Sequence, residues 1–157
     1  MNTGGDVLTI SQRLHEPRVA DARLELPFEL RSRSRFRAQL VGGEQVGVML
    51  ARGQILRGGD LLLAADGRVI EVTAAAETVS TLRSADPRLL ARAAFHLGNR
   101  HVALQIGAGW LRYSHDHVLD AMVEGFGLQV TIEQASFEPE SGAYHAELSS
   151  HSHHHEH

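Results

Sequence analysis

The chain has 157 residues, 43% of them hydrophobic and 22% charged, a composition that fits a folded globular protein of one or two domains and excludes a disordered or membrane-embedded chain. Cysteine is absent, so disulfides, thiolate catalysis and thiolate metal sites are ruled out by chemistry, and a metal could be held only through His, Asp or Glu. All 15 basic residues are Arg and the formal net charge is -4, which argues against general attraction to nucleic acid.

The opening MNTGGDVLTISQRL lacks the basic start and apolar core of a secretion signal, and no run approaches the ~20 apolar residues that span a bilayer. A cytoplasmic location is expected. From Val7 to about Val72 short alternating segments are broken by glycine: LELPFELR, RFRAQLV, EQVGVML and LLLAADGRVIEV read as strands, with turns at Gly42-Gly43, Gly58-Gly59-Asp60 and Asp66-Gly67. Within this stretch Arg31, Arg33, Arg35 and Arg37 recur at a spacing of two. On one strand they would make a basic face, either simply solvated or docking an acidic partner. The composition shifts at Thr73-Ala74-Ala75-Ala76, which places a domain boundary there.

In the second half, ETVSTLR is a weak opening strand, and Asp86-Pro87 reads as an N-cap followed by proline at the first helical position. Leu89, Leu90, Ala93, Ala94 and Leu97 then repeat at helical spacing, and Gly98-Asn99 is the expected left-handed stop. HVALQI alternates, with Val102, Leu104 and Ile106 on one face and His101 opening the strand on the other. After Gly107-Ala108-Gly109 and WLRY, Ser114 or Asp116 can cap a second helix carrying Val118, Leu119, Met122, Val123 and Phe126, ended by Gly125 and Gly127. LQVTIEQ closes the series. The order is β-α-β-β-α-β, so the fold class expected is α+β: a small all-β domain over residues 1–74, a ferredoxin-like domain over 75–144 and a flexible His-rich tail over 145–157.

Eleven histidines are the compositional outlier, and only His15 precedes His96. His115 and His117 flank Asp116 at a strand-to-helix junction. Two residues separated by one share a side in an extended chain and diverge by about 200° in a helix, so joint use of the two imidazoles needs an extended segment there. The bland alternative is a helix cap with two exposed imidazoles. Gly109, five residues, then His-x-His also looks like the first metal motif of cupins, but the glutamate that motif needs is replaced by Ala121 or Met122, and Glu124 comes too late. His96 falls on or near the apolar stripe of its helix, where a packing role is expected. His101 lies off the apolar face. One imidazole is a poor metal site, but a residue near the axis of a twofold dimer meets its own copy, so one His per chain would supply two ligands. The terminal tract contributes His151, His153, His154, His155 and His157; its irregular spacing, broken by Ser152 and Glu156, is unlike an engineered hexahistidine and suits a fast-exchanging metal reservoir. No Gly-x-Ser-x-Gly, no phosphate-binding GK[ST] and no carboxylate pair for hydrolysis stands out, so catalysis has no visible seat.

AAFHLGNRHVALQI, LRYSHDHVLDAMVEGFGLQVTIEQASFEPESGAY and the His-rich end resemble the UreE-type urease accessory proteins, and RGQILRGGDLLLAADGRVIEV resembles the end of their N-terminal domain. The resemblance implies a metallochaperone, not an enzyme: a homodimer joined through its C-terminal domain that delivers Ni(II) to apo-urease alongside an accessory GTPase. It further implies that His101, which closes GNRH, is the interfacial nickel ligand, that His115 and His117 are an auxiliary site, and that His145 and the tail are variable C-terminal ligands. Imidazole chemistry alone leaves the metal open, because Cu(II) and Zn(II) compete with Ni(II) for such ligands. A histidine-site metal-dependent enzyme and a metal-independent scaffold are the alternative function classes.

Overall fold

A computed structural model describes residues 7–142. The chain divides into two compact units, with the break between Ala75 and Ala76. Both are α+β, strand-rich, with three short helices between them. No helix among the described residues is long and apolar enough to cross a membrane.

The first unit is a six-stranded sheet in the order β2-β6-β5-β1-β4-β3, built from β1 Leu8–Leu14, β2 Ala22–Leu26, β3 Arg35–Gln39, β4 Gln45–Met49, β5 Leu61–Ala64 and β6 Val69–Ala74. Its core is aliphatic, with Ile10, Leu24, Val46, Leu56, Leu62 and Ile70 fully buried. Two expectations are corrected here. LELPFELR is not one strand: Pro27, which cannot donate to a ladder, ends β2 and caps the one-turn helix α1, Phe28–Arg31. The unit is therefore not all-β. The arginine spacing does not make one face either, because Arg31 lies on α1, fully buried, donating from Nε to the Leu26 carbonyl at 3.1 Å. Arg35 and Arg37 are exposed on β3, an edge strand, where charge discourages pairing with another sheet.

The second unit runs β7 Ala76–Arg83, α2 Pro87–Asn99, β8 Gln105–Gly107, β9 Trp110–Ser114, α3 His117–Gly125 and β10 Val130–Ser136. The four strands lie in the order β10-β7-β9-β8, and every neighbouring pair is antiparallel. Leu82, Leu111 and Tyr113 from the sheet close a core with Ala93 and Leu97 of α2 and Val123 of α3. The start of α2 is as its sequence suggests, since Asp86 caps it by accepting from the Arg88 N–H at 2.9 Å and Pro87 occupies its first position. On α3, Leu119, Met122 and Val123 reach the core, but Val118 is 56% exposed and points away from it.

β8 and β9 form a tight hairpin. Gly107 pairs with Trp110, whose ring lies where a side chain at 107 would be: a Cβ there would meet the indole at 2.0 Å. Arg112 covers the same ring at 4.5 Å. After β10 the chain crosses to the opposite edge of the sheet, where the Glu138 N–H donates to Gln105 Oε1 at 3.0 Å and the Glu140 N–H to the Leu104 carbonyl at 2.7 Å.

Candidate functional site

α2 continues through Gly98 and Asn99, so neither is the left-handed stop. The left-handed residue is His101, with φ of 57°, the only non-glycine residue of positive φ among those described. The hydrogen bonds explain why. The His101 N–H donates to the Gly98 carbonyl at 3.0 Å and the Val102 N–H reaches back to the Leu97 carbonyl at 3.1 Å. That 5→2 and 6→1 pair is the Schellman motif, which requires left-handed backbone at the residue between, usually glycine. His101 is therefore not the first residue of a strand, and β8 begins only at Gln105. Val102 and Leu104 still reach the core, from irregular backbone. An L-residue in this conformation costs about 1–2 kcal/mol, and such strain concentrates at functional positions. The imidazole is exposed, beside the end of α2 whose free carbonyls carry partial negative charge, a favourable place for a cation.

Asp116 is a helix cap, its Oδ1 accepting from the N–H groups of Val118 at 2.8 Å and Leu119 at 3.2 Å. Its backbone is extended, with φ of -152° and ψ of 117°, so His115 and His117 flank an extended residue, the condition for both to serve one site. His117 is exposed at the first position of α3. His115 is held. Its Nδ1 lies 3.1 Å from Asp120 Oδ2 and 3.1 Å from Ser80 Oγ, with the side chain a third exposed. Asp120 is nearly buried, and its Oδ1 accepts from the hydroxyl of the fully buried Tyr113 at 2.6 Å. Burial first, and the Asp120 carboxylate second, push the Tyr113 phenol well above its usual range, so it remains a donor.

His96 packs as expected for its place on α2. It is half-buried, stacked on the Phe126 ring with centroids 4.8 Å apart, and Arg92 covers the same ring at 4.8 Å. His15 is exposed in the first unit. His145, His151, His153, His154, His155 and His157 lie outside the described residues. Among the described residues no three His, Asp or Glu side chains converge on one point, so these residues of a single chain form no closed metal site by themselves. The Asp120, Tyr113 and Ser80 network is the part of the site that sequence reasoning missed. The available signal was an aspartate on the inner side of an otherwise apolar helix.

The comparisons agree over both units. A model described as the UreE urease accessory protein, N-terminal domain, matches residues 4–75, and one described as the UreE urease accessory protein, C-terminal domain, matches residues 77–157. A urease accessory protein UreE from Alkalilimnicola ehrlichii is 62% identical over 138 residues, covering 88% of this chain and 85% of the relative. The corresponding protein of Pseudomonas putida, strain F1, is 55% identical over 141 residues, covering 88% and 84%. That of Citrobacter koseri is 51% identical over 152 residues, covering 96% and 99%.

Proposed function

The chain belongs to the UreE family of urease accessory proteins, which are accessory chaperones and not enzymes, and from that premise we propose that it binds Ni(II) as cargo and delivers it to apo-urease during maturation of the urease active site. Its partners in this reading are a second copy of itself, the accessory GTPase and the urease apoprotein complex, in the cytoplasm. Zn(II) and Cu(II) compete for the same imidazoles.

The observation that carries the proposal is His101: an exposed imidazole kept at a strained position where glycine would be the conformational default. A pair of such residues, one from each protomer of a twofold dimer, supplies two ligands without requiring a third side chain nearby. His115 and His117 form an auxiliary site, and His145, His151, His153, His154, His155 and His157 add weaker ligands. The clamp of Glu140 on Leu104 supports their cooperation, because it returns the chain to within three residues of His101 just before the tail begins. We read the β10-β7-β9-β8 unit as ferredoxin-like, the metal-binding and dimerisation domain over 75–144, preceded by a β-rich domain over 1–74. Imidazole ligates only when neutral, so protons compete with the metal and binding is reversible, as transfer requires.

The test is calorimetric Ni(II) titration of the whole protein and of a chain ending at Tyr144, with the mass followed by light scattering. The expected result is a dimer in both cases, fewer Ni(II) bound after truncation, and a tight class that weakens as pH falls from about 7.5 to 5.5. A monomer at working concentration, or affinity flat across that window, would overturn the histidine-bridged dimer.

A further inference from the structure

We propose that Asp120, backed by Tyr113, is a positioning residue for metal binding, holding the His115 imidazole with its proton on Nδ1 so that Nε2 is the nitrogen that takes the metal ion. This rests on the reading of His115 as a Ni(II) ligand and adds to it the group that selects the ligating atom.

The assignment follows from counting protons in the network. Tyr113 donates to Asp120 Oδ1 at 2.6 Å. The Ser80 hydroxyl, 3.1 Å from His115 Nδ1, rotates freely and can accept from it. Asp120 Oδ2, 3.1 Å from His115 Nδ1, then has no other donor in the network, and a lone pair on Nδ1 would face a carboxylate lone pair. The arrangement is satisfied when Nδ1 carries the hydrogen and shares it between Asp120 Oδ2 and Ser80 Oγ. In a neutral ring Nε2 is then the acceptor. Nδ1 is the nitrogen held by the network and the side chain is a third exposed, which leaves Nε2 as the nitrogen for a metal ion. A carboxylate on the far nitrogen of a ligating histidine fixes tautomer and ring orientation and strengthens the ligand. The fold supplies this arrangement from three elements: Ser80 and Tyr113 are register partners on β7 and β9, and Asp120 is in the first turn of α3, five residues after His115. No buried side-chain polar atom among the described residues lacks a partner, so the network is closed.

The decisive measurement is imidazole nitrogen NMR on the metal-free, full-length protein, with His115 assigned from its loss in His115→Gln. The expected result is a proton on Nδ1, and ring signals that Ni(II) perturbs. In Asp120→Asn, with Tyr113 still donating to the amide oxygen, the amide nitrogen faces Nδ1 as a donor. The proton then moves to Nε2, and the Ni(II) affinity of the His115 class falls by about 10–100-fold while the His101 class is unchanged. Tyr113→Phe removes a donor to Asp120 and leaves its carboxylate the stronger acceptor, so the proton stays on Nδ1. A proton on Nε2 in the wild-type protein, with Ni(II) still perturbing the ring, overturns the positioning role alone, and needs no variant to fold. An Asp120→Asn protein with unchanged tautomer and affinity overturns it as well. Ring signals that Ni(II) leaves untouched in the wild type overturn the ligand reading, and the proposal with it.

Discussion

The two helices of the second unit end with the same hydrogen bonds and different residues. At the end of α3 the Gly127 N–H donates to the Glu124 carbonyl at 2.9 Å and the Leu128 N–H to the Val123 carbonyl at 3.3 Å, with Gly127 at φ of 94°. At the end of α2 the same 5→2 and 6→1 pair places His101 in the left-handed position. Glycine takes that backbone without steric penalty and histidine does not. One helix therefore stops at the conformational default and the other departs from it, at the residue with the exposed imidazole. The difference separates what the fold needs, a left-handed residue, from what the proposed function would add, an imidazole free to bind metal.

Exchanging the two ends tests this, and the largest effect expected is on metal. In His101→Gly the end of α2 becomes like that of α3, and the tightest Ni(II) class should vanish from the calorimetric titration of the full chain while weaker binding survives. Retention of that class at wild-type stoichiometry would remove His101 from the site. The converse, Gly127→His, should lower the stability of the second unit by about 1–2 kcal/mol, read as a lower urea midpoint, without creating a tight Ni(II) class. His101→Gly should move the midpoint the other way, by about 0.5–1 kcal/mol, because relief of native-state strain exceeds the entropy glycine gains in the unfolded chain. The smallest effect belongs to His101→Ala, which keeps the strain and removes only an exposed ring. It should stay within about ±0.5 kcal/mol of wild type while losing the tight metal class, and a larger destabilisation would make His101 a structural residue.

Local signals were legible in the sequence. The Asp86-Pro87 start of α2, the apolar spacing that delivers Ala93 and Leu97 to the core, and the cap at Asp116 depend on neighbours within a turn. HVALQI misled because Val102 and Leu104 do face the core, so an irregular connection imitates the alternation of a strand. The helix hydrogen bonds ahead of it claim His101 first. β1 was hard to single out because its register with β5 shifts between Ile10 and Gln12, which breaks the alternation. The parallel pairings of β1 with β4 and of β2 with β6 join distant segments and leave no local mark. The site divides in the same way. The histidines announce their chemistry, whereas the partners of His115 are brought together by the register that sets Ser80 beside Tyr113 and by the first turn of α3, which supplies Asp120.

The hairpin that packs Trp110 over Gly107 also gives the molecule a built-in lamp. Trp110 is the only tryptophan in the chain, and both tyrosines, Tyr113 and Tyr144, follow it in the second half. Selective excitation of the indole therefore illuminates the second unit and leaves the first dark. Emission recorded during unfolding follows the loss of the β8–β9 hairpin, while far-ultraviolet dichroism sums both units. Where the two curves separate, the units melt independently; where they coincide, the chain melts as one. Quenching by added Ni(II), read on the same residue, responds to ions bound near the hairpin that follows the His101 turn, with no label attached.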